Sequence, residues 1–352
     1  MGHPAIENPT PFALEPIFLS DEEGRPLFVP VLKATYAIGP HGLTVAEEQA
    51  PVNMAGEPYG KPEESSYRYE PECAFVKPAT DVVLVGHACA PHQGATEMVV
   101  ALQVGPLKKG VRVFGDRVFF ETLGIISMSK PAPFEKIPLQ WERAFGGWDR
   151  SNPDPKKHQF EPRNPVGLGF RGNGSTFQQG RRAPNLEDPT EPYKGWGHRP
   201  RPAGFGFTCP NWEPRAALAG TYDEQWQKDR APLLAKDFDR RFMNAASPGL
   251  VANGYLRGNE PVMLAGASPE GRLSFQLPGL AQPKMKVERG GQEDSEIALN
   301  LDTVILDTDV MRVFLLWRGN LVLKREPLEI RSMKIVWPGA PAAPTKKPAA
   351  AT

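Results

Sequence analysis

The sequence contains, near its C-terminal end, the run Ile297-Ala-Leu-Asn-Leu-Asp-Thr-Val-Ile-Leu306, which turns at Asp307-Thr-Asp309 into Val310-Met-Arg-Val-Phe-Leu-Leu-Trp317. Apolar side chains in this arrangement are typical of half-buried strands, because successive residues of a strand point to opposite faces. Gly319-Asn320 follows at once and is a two-residue hairpin signal. We therefore predict that Gly319-Asn320 is the turn of a hairpin, and that it joins the strand ending at Trp317 to a strand at Leu321-Val-Leu-Lys324.

Similar segments fill the first third of the chain. Val29–Ile38 is apolar and partly β-branched, but Pro30 lacks the N–H that a strand donates to its neighbour. We expect this strand to lie at a sheet edge or to begin after Pro30. Asp81–Cys89, Met98–Val104 and Val111–Phe114 follow, and they suit an antiparallel meander.

The composition excludes long helices. The 352 residues include 34 Gly and 39 Pro, and a proline inside a helix costs about 3 kcal/mol. The hydrophobic content of 40% is enough to bury a core, which argues against disorder. We expect a mainly β fold, with antiparallel sheets packed as a sandwich or a partly open barrel.

One large domain is predicted over residues 1–337. Residues 25–125 and 261–337 would form the β scaffold, and residues 130–260 a loop-rich layer with a few short helices. Residues 338–352, rich in Ala, Pro and Lys, are predicted to be a disordered tail.

Two short helices are expected in the middle of the chain. Thr221 and Glu224 match a capping box, in which the two side chains bond each other's backbone N–H groups. Asp237 would cap a second helical turn that stacks Phe238 on Phe242.

Charge and targeting patterns narrow the class of protein. Forty-one basic and 41 acidic residues cancel, which argues against a general nucleic-acid binder or a polybasic membrane binder. No apolar run approaches the roughly 18 residues of a membrane span, and no signal peptide is visible. Cys73, Cys89 and Cys209 are too few and too scattered for a disulfide framework, so we expect a cytoplasmic protein without membrane insertion.

Cofactor and metal motifs are weak. Gly167-Leu-Gly-Phe-Arg-Gly172 has the spacing of a dinucleotide-binding loop but lacks a preceding strand and a following helix. His87, Cys89 and His92 could supply three zinc ligands if a fourth came from elsewhere, but a buried cysteine beside ordinary polar histidines is the commoner outcome. We predict no metal and no cofactor.

Catalytic patterns are equally sparse. No G-x-S-x-G motif occurs. Asp149, Asp154, Glu187 and Asp188 could work in an acid–base pair, although such carboxylates are more often turn caps or arginine partners. We predict that the protein is not an enzyme.

Residues 130–260 carry a compositional signal. They contain 20 basic and 15 acidic residues, so this segment is +5 and the remainder −5, and they hold five of the seven tryptophans. Arg and Trp are enriched at protein–protein hot spots, but they can also fasten a loop layer onto a sheet, and both interpretations stay open. The residues predicted to contact a partner are Arg143, Trp148, Arg163, Arg171, Arg181, Arg182, Trp196 and Trp212.

Several longer motifs occur in order along the chain. They are Leu32-Lys-Ala-Thr-Tyr36, Gly115-Asp-Arg117, Pro133-Phe-Glu-Lys-Ile-Pro-Leu-Gln-Trp-Glu-Arg-Ala-Phe-Gly-Gly-Trp148, Asn164-Pro-Val-Gly-Leu-Gly-Phe170, Pro184-Asn-Leu-Glu187, Gly220-Thr-Tyr-Asp-Glu-Gln-Trp226 and Asp237-Phe-Asp-Arg-Arg-Phe-Met-Asn244. With them the chain resembles, over roughly residues 5–335, the family catalogued as domain of unknown function 2169.

The resemblance implies a role in secretion. The family is encoded alongside type VI secretion systems of Gram-negative bacteria, and its members are thought to be accessory chaperones or adaptors that help load a toxic effector onto the spike. The implied partners are therefore a secreted effector, a spike protein, or both. Two alternatives stay open: a carbohydrate-active or other hydrolase using carboxylates of the central layer, and a structural component of the secretion apparatus.

Overall fold

The computed structural model describes residues 4–290, 293–324 and 329–343, which are mainly β. The first thirteen strands are β1 (Ala5–Glu7), β2 (Ala13–Ser20), β3 (Pro26–Gly39), β4 (Gly42–Val45), β5 (Glu57–Pro58), β6 (Tyr67–Tyr69), β7 (Asp81–Val85), β8 (His87–Cys89), β9 (Glu97–Val104), β10 (Leu107–Phe114), β11 (Phe119–Thr122), β12 (Ile125–Met128) and β13 (Lys136–Pro138). The others are β14 (Phe145–Gly146), β15 (Trp148–Asp149), β16 (Gln159–Phe160), β17 (Leu168–Gly169), β18 (Leu186–Glu187), β19 (Pro261–Ala265), β20 (Arg272–Gln276), β21 (Lys284–Arg289), β22 (Ser295–Ala298), β23 (Asn300–Asp307), β24 (Arg312–Arg318), β25 (Leu321–Val322) and β26 (Ile330–Val336).

The helices are short. The one α-helix among the described residues is α1 (Glu224–Asp229), and the 3-10 helices are Trp141–Arg143, Pro155–Lys157, Ala216–Ala219 and Arg240–Met243. No helix in the described ranges has both the length and the apolar character needed to cross a membrane.

A seven-stranded sheet forms one side of the scaffold. Its order is β2-β3-β24-β23-β7, with β4 and β25 also paired to β3. The β23–β24 hairpin lies where the sequence predicts consecutive strands, and it pairs Asp307 with Arg312 across the turn. This predicted hairpin is therefore confirmed.

Gly319-Asn320 is not a hairpin turn, so that prediction is wrong. β25 pairs with β3, not with β24, and the two short strands follow each other along the same side of β3. Glycine is required at position 319 because a Cβ there would lie 2.5 Å from Ile297 Cγ2 and 2.8 Å from Leu299 Cδ2. A close approach between strands, and not a turn, explains this glycine.

Pro30 lies within β3, which is an interior strand, so the expectation of an edge strand or a later start is also wrong. On one side Pro30 is opposite Pro16 of β2. On the other side of β3, Pro30 lies level with the break between β24 and β25. There the Pro30 carbonyl accepts a hydrogen bond from Gly319 N at 3.3 Å. The missing N–H is tolerated because the ladder is interrupted at this point.

A five-stranded sheet with the order β18-β10-β9-β19-β20 forms the other side of the scaffold. The predicted β9–β10 hairpin is confirmed and turns at Gly105, which has φ +52°. The predicted meander is wrong for residues 81–89, because β7 runs parallel to β23 in the other sheet and β8 pairs with β13. Every residue of β7 is buried, as is usual for a parallel strand covered on both faces.

Both sheets contribute to one hydrophobic core. Phe28, Leu32 and Leu84 come from the seven-stranded sheet, and Val100 and Val111 come from the five-stranded sheet. The architecture is therefore a sandwich-like, mainly β fold, as the sequence predicts. A smaller, mostly aromatic cluster joins β11 to the middle segment and consists of Phe119, Phe145, Phe170, Ala183 and Tyr193.

Helix α1 confirms the first predicted helix, but its cap is different. Asp223, not Thr221, is the N-cap, and its carboxylate accepts a hydrogen bond from Trp226 N at 2.9 Å. Thr221 Oγ1 instead donates to Asp237 Oδ2 at 2.8 Å, which explains why neither side chain caps a helix.

The second predicted helical turn is the 3-10 helix Arg240–Met243, and Asp239 caps it in place of Asp237. Phe238 and Phe242 are in contact as expected, but edge-on and not stacked, with ring centroids 5.8 Å apart. At the other end of the chain, Ala343 N donates to Pro9 O at 2.8 Å. Residues 344–352 of the predicted tail lie outside the described residues.

The replacement Gly319→Ala tests the close approach. We expect it to lower the free energy of unfolding by about 1–3 kcal/mol, because the added methyl overlaps two packed side chains. Urea denaturation measures the loss. The matched control is Gly39→Ala, whose nearest new neighbour is Gly42 O at 3.6 Å. We expect a change below about 0.5 kcal/mol for the control, and equal effects of the two changes would contradict the assignment.

Candidate functional site

The motif residues of the middle segment meet around Asn164. This side chain is completely buried, and its Nδ2 donates to Trp141 O at 2.8 Å and to Phe145 O at 3.0 Å. Strands β14 and β17, from the motifs 133–148 and 164–170, pair beside it in parallel. The two motifs therefore form one packed unit.

Glycine is needed where these two motifs touch. A Cβ on Gly146 would overlap the Asn164 carbonyl oxygen, and one on Gly147 would overlap the Gly167 carbonyl oxygen. A Cβ on Gly167 would lie 2.6 Å from Ala144 O. Of the glycines with dinucleotide-like spacing, Gly167 thus packs on backbone, whereas Gly169 and Gly172 approach the side chains of Pro184 and Gln159.

Side chains also join the middle segment to the five-stranded sheet. Arg117 is buried and donates to the Glu187 carboxylate and to Pro184 O. Asn185 Nδ2 donates to Phe114 O at 3.0 Å, at the end of β10. Here arginine serves the fold by satisfying buried acceptors.

Two predicted contact residues, Arg143 and Arg182, share one carboxylate. Asp116 Oδ1 accepts hydrogen bonds from Arg143 Nη1 at 3.3 Å and from Arg182 Nη2 at 2.8 Å. Burial would raise the pKa of Asp116, but hydrogen bonds from Asn185 and Arg182 outweigh it and lower that pKa. Both guanidinium groups are therefore engaged within the chain, although Arg182 is also exposed.

Arg163 and Trp212 lie apart from this group. Arg163 binds Glu161 through two hydrogen bonds, at 2.6 and 2.9 Å, and also donates to Pro200 O. Trp212 is only 3% exposed and packs edge-on against Trp141 with centroids 6.1 Å apart. Trp212 is thus a core side chain of the scaffold and presents no surface to a partner.

Trp196 lies between two of the predicted arginines. The guanidinium carbons of Arg171 and Arg181 are 5.6 and 5.5 Å from its ring centroid. Its other ring contacts are Phe119 at 5.2 Å and Phe177 at 5.3 Å, which place Trp196 at the border of the aromatic cluster. Cation–π pairs of this kind hold the loop layer together.

Trp148 is the most exposed of the predicted tryptophans, at 42%. It pairs across β15 and β16 with Phe160, and the two rings stack with centroids 4.5 Å apart. Arg181 Nη2 donates to Trp148 O at 3.2 Å, so one arginine connects Trp148 to Trp196.

A cavity of about 700 Å³ adjoins Trp148, and we call it the Trp148 cleft. Its lining residues are Glu63, Glu64, Gly147, Trp148, Asp149, Arg150, Ser151, Pro165, Val166, Gly167, Gln178 and Arg181. The lining contains an aromatic side chain and charges of both signs, a composition suited to a polypeptide.

The four carboxylates considered for acid–base chemistry serve the backbone or arginines. Burial would raise the pKa of Asp149, but hydrogen bonds from Ser175, Ser151 N and Gly172 N hold it far below its usual range. Asp154 caps a 3-10 helix, Glu187 binds Arg117, and Asp188 accepts from Thr190 N at 2.8 Å.

The structure does not assemble His87, Cys89 and His92 into a metal site. His87 Nδ1 is 2.8 Å from Asp309 Oδ1, whereas His92 Nδ1 is 3.1 Å from Gln93 O. Burial raises the pKa of the Cys89 thiol. Within the described ranges, no group of three or more His, Cys, Asp or Glu side chains could hold a metal ion.

Lys109 lines a second cavity of about 700 Å³. It was not among the candidate residues predicted from the sequence. Lys109 Nζ donates to Ser247 Oγ and, at 2.7 Å, to Pro248 O. Burial lowers the pKa of Lys109 to about 7, and Asp188 opposes this shift. Lys109 precedes the buried Val111 and Val113 by two and four residues, so the three side chains lie on one face of β10. This spacing is the signal that predicts an inward-facing lysine.

The fold and these contacts define a mainly β protein with an Arg/Trp-rich layer fastened to a sandwich-like scaffold. Over residues 23–318 the chain matches a family model described as an uncharacterized protein conserved in bacteria, DUF2169, and the chain belongs to this family. No curated protein and no solved structure matches the chain.

The lowered pKa of Lys109 predicts a pH dependence of stability. Between about pH 7 and the usual lysine pKa of about 10.4 the folded chain binds fewer protons than the unfolded chain, so stability rises with pH in this window. Urea denaturation at several pH values should show this rise in the wild type relative to Lys109→Met, which keeps most of the apolar stem. Parallel curves for the two proteins would contradict it.

Proposed function

We propose that the chain is a non-catalytic cytoplasmic adaptor or chaperone. It binds a secreted effector of a type VI secretion system and helps to load that effector onto the spike. The proposal combines the family membership with the surface around Trp148.

The exposed Trp148–Phe160 pair is the observation that carries the proposal. Both rings are 42% exposed although together they form a large apolar surface. The β15–β16 pairing and the Arg181 hydrogen bond fix the backbone of Trp148, and stacking on Phe160 restrains its ring, so little side-chain entropy is lost when a partner covers it. Rigid, partly exposed tryptophans beside arginines are typical hot spots of protein interfaces.

The state of the carboxylates also favours binding over hydrolysis. A carboxylic acid that donates a proton near neutral pH needs a raised pKa. The pKa values of Asp149 and Asp188 are instead lowered, and hydrogen bonds within the chain occupy both groups. For this reason we place the carbohydrate-active alternative second.

The test is co-expression with a secreted toxin of the kind that the family resemblance implies, taken from the same host, followed by gel filtration. We expect the two proteins to co-elute, and deletion of the chain to reduce toxin level or delivery. If they never co-elute and deletion changes neither property, the adaptor proposal fails. A fixed ratio to the spike in the assembled apparatus would instead favour the structural alternative.

Trp148→Ala tests the surface itself. We expect the affinity for the toxin to fall by roughly 30-fold, the loss that corresponds to a hot spot of about 2 kcal/mol. The control is Tyr222→Ala, which removes another exposed aromatic residue of the middle segment. Isothermal titration measures both affinities and thermal melting checks both folds. An equal loss in the two variants would exclude a specific role for Trp148.

A further inference from the structure

The hairpin formed by β11 and β12 exposes an apolar tip. Its two-residue turn is Leu123-Gly124, between the paired residues Thr122 and Ile125. Leu123 is 97% exposed and Ile125 is 68% exposed, the two highest values among the large hydrophobic side chains of the described ranges. We call Leu123 and Ile125 the hairpin tip.

The base of the hairpin is firmly attached to the Arg/Trp layer. Phe119 is completely buried in the aromatic cluster, and Ile126 and Met128 pack against the same cluster. Phe119 N donates to Arg181 O at 2.9 Å, and Gly180 N donates to Phe119 O at 2.9 Å. The tip is therefore presented from a fixed base.

The turn is unfavourable for a leucine. Leu123 has φ +51° and Gly124 has φ +78°, so both central residues are left-handed, as in a type I′ turn. Asn, Asp and Gly are preferred at the first of these positions, whereas a left-handed conformation strains a leucine. Folding alone would favour asparagine at position 123.

Exposure makes the same residue doubly unfavourable. Leu123 and Ile125 gain nothing from the hydrophobic core, and exposed apolar side chains next to each other mark interaction sites. A residue that is strained and solvent-exposed at once is best explained by a contact outside the chain.

We propose that the hairpin tip inserts into an apolar pocket of a protein partner. Charges of both signs surround the base of the hairpin, since Glu121, Asp116 and Arg182 are all exposed. An apolar anchor with a mixed polar rim has the anatomy of a protein interface, whereas binding to an anionic membrane surface would favour a uniformly basic rim. The identification of the partner as the secreted toxin rests on the proposed function. The proposal that the hairpin tip contacts a protein rests only on the exposure and backbone conformation of the tip.

Leu123→Asn gives the sharpest test, because it should raise stability while it removes binding. Asparagine suits the left-handed position, so the melting temperature should rise by about 1–3 °C. The affinity of the purified chain for the co-expressed toxin should fall at least about tenfold, the usual consequence of losing an interface anchor. Val310→Asn, which changes an exposed apolar residue in the turn of another hairpin, should leave the affinity unchanged.

Two results of this experiment would overturn the proposal. One is toxin binding by Leu123→Asn with wild-type affinity, which would leave the adaptor function intact. The other is a lower melting temperature for Leu123→Asn, which would show that Leu123 serves the fold.

A second arm decides the case in which wild-type chain does not bind the toxin and the adaptor proposal fails. Benzoylphenylalanine is placed at position 123 or, as a control, at position 310, and the full chain is irradiated in its native host. A discrete adduct with another protein, specific to position 123 and lost when Ile125→Asn is added, supports the hairpin tip. Adducts with lipid or a second copy alone, or no adduct, overturn it.

Discussion

The buried amide of Asn164 is the contact on which the central layer depends. In residues 130–260 few backbone groups are paired in long strands or helices, yet buried carbonyl and N–H groups still need partners. Asn164 supplies two of these hydrogen bonds from one side chain, to Trp141 O and Phe145 O. Replacement of Asn164 would remove the hydrogen bond to Phe145 O, at a cost of about 1–3 kcal/mol, whereas Trp141 O would keep the one from Ala144 N at 3.1 Å. Asn185 and Arg117 satisfy carbonyls at the junction with the five-stranded sheet in the same way.

This packing connects the fold to the proposed surface. Gly146 and Gly147 let one chain segment lie directly on another, and Trp148 follows them without an intervening loop. Because the backbone before Trp148 is fixed and its ring stacks on Phe160, the indole is held in place while it stays partly exposed to solvent. Arg181 adds a second restraint through Trp148 O and also supports the hairpin through Phe119. The rigidity that the layer gains from backbone contacts is the property that a binding surface needs.

Local patterns predicted local structure well, as the β23–β24 and β9–β10 hairpins show. They failed where a partner distant in sequence decides the conformation. Ile297 and Leu299 leave no room for a side chain at position 319, so they explain the glycine there. Strand β7 pairs with β23, which is more than 200 residues away in the sequence. For the proposed site, composition indicated a layer of the chain but could not separate its arginines by role. Arg143 pairs with Asp116 and Arg163 pairs with Glu161. Neither ion pair was predicted from the sequence.

In the structure these roles can be separated by asking how much each side chain contributes to the stability of the fold. Arg117 and Trp212 are buried and contribute fully to the fold, so stability alone explains them. Trp148 and Leu123 expose apolar surface, and Leu123 also takes a backbone conformation that strains it. A sequence optimised only for folding would avoid these choices, and departures of this kind are expected at functional sites. Since Arg181 contacts the backbone of both Trp148 and Phe119, the strand that carries Trp148 and the base of the hairpin share one support.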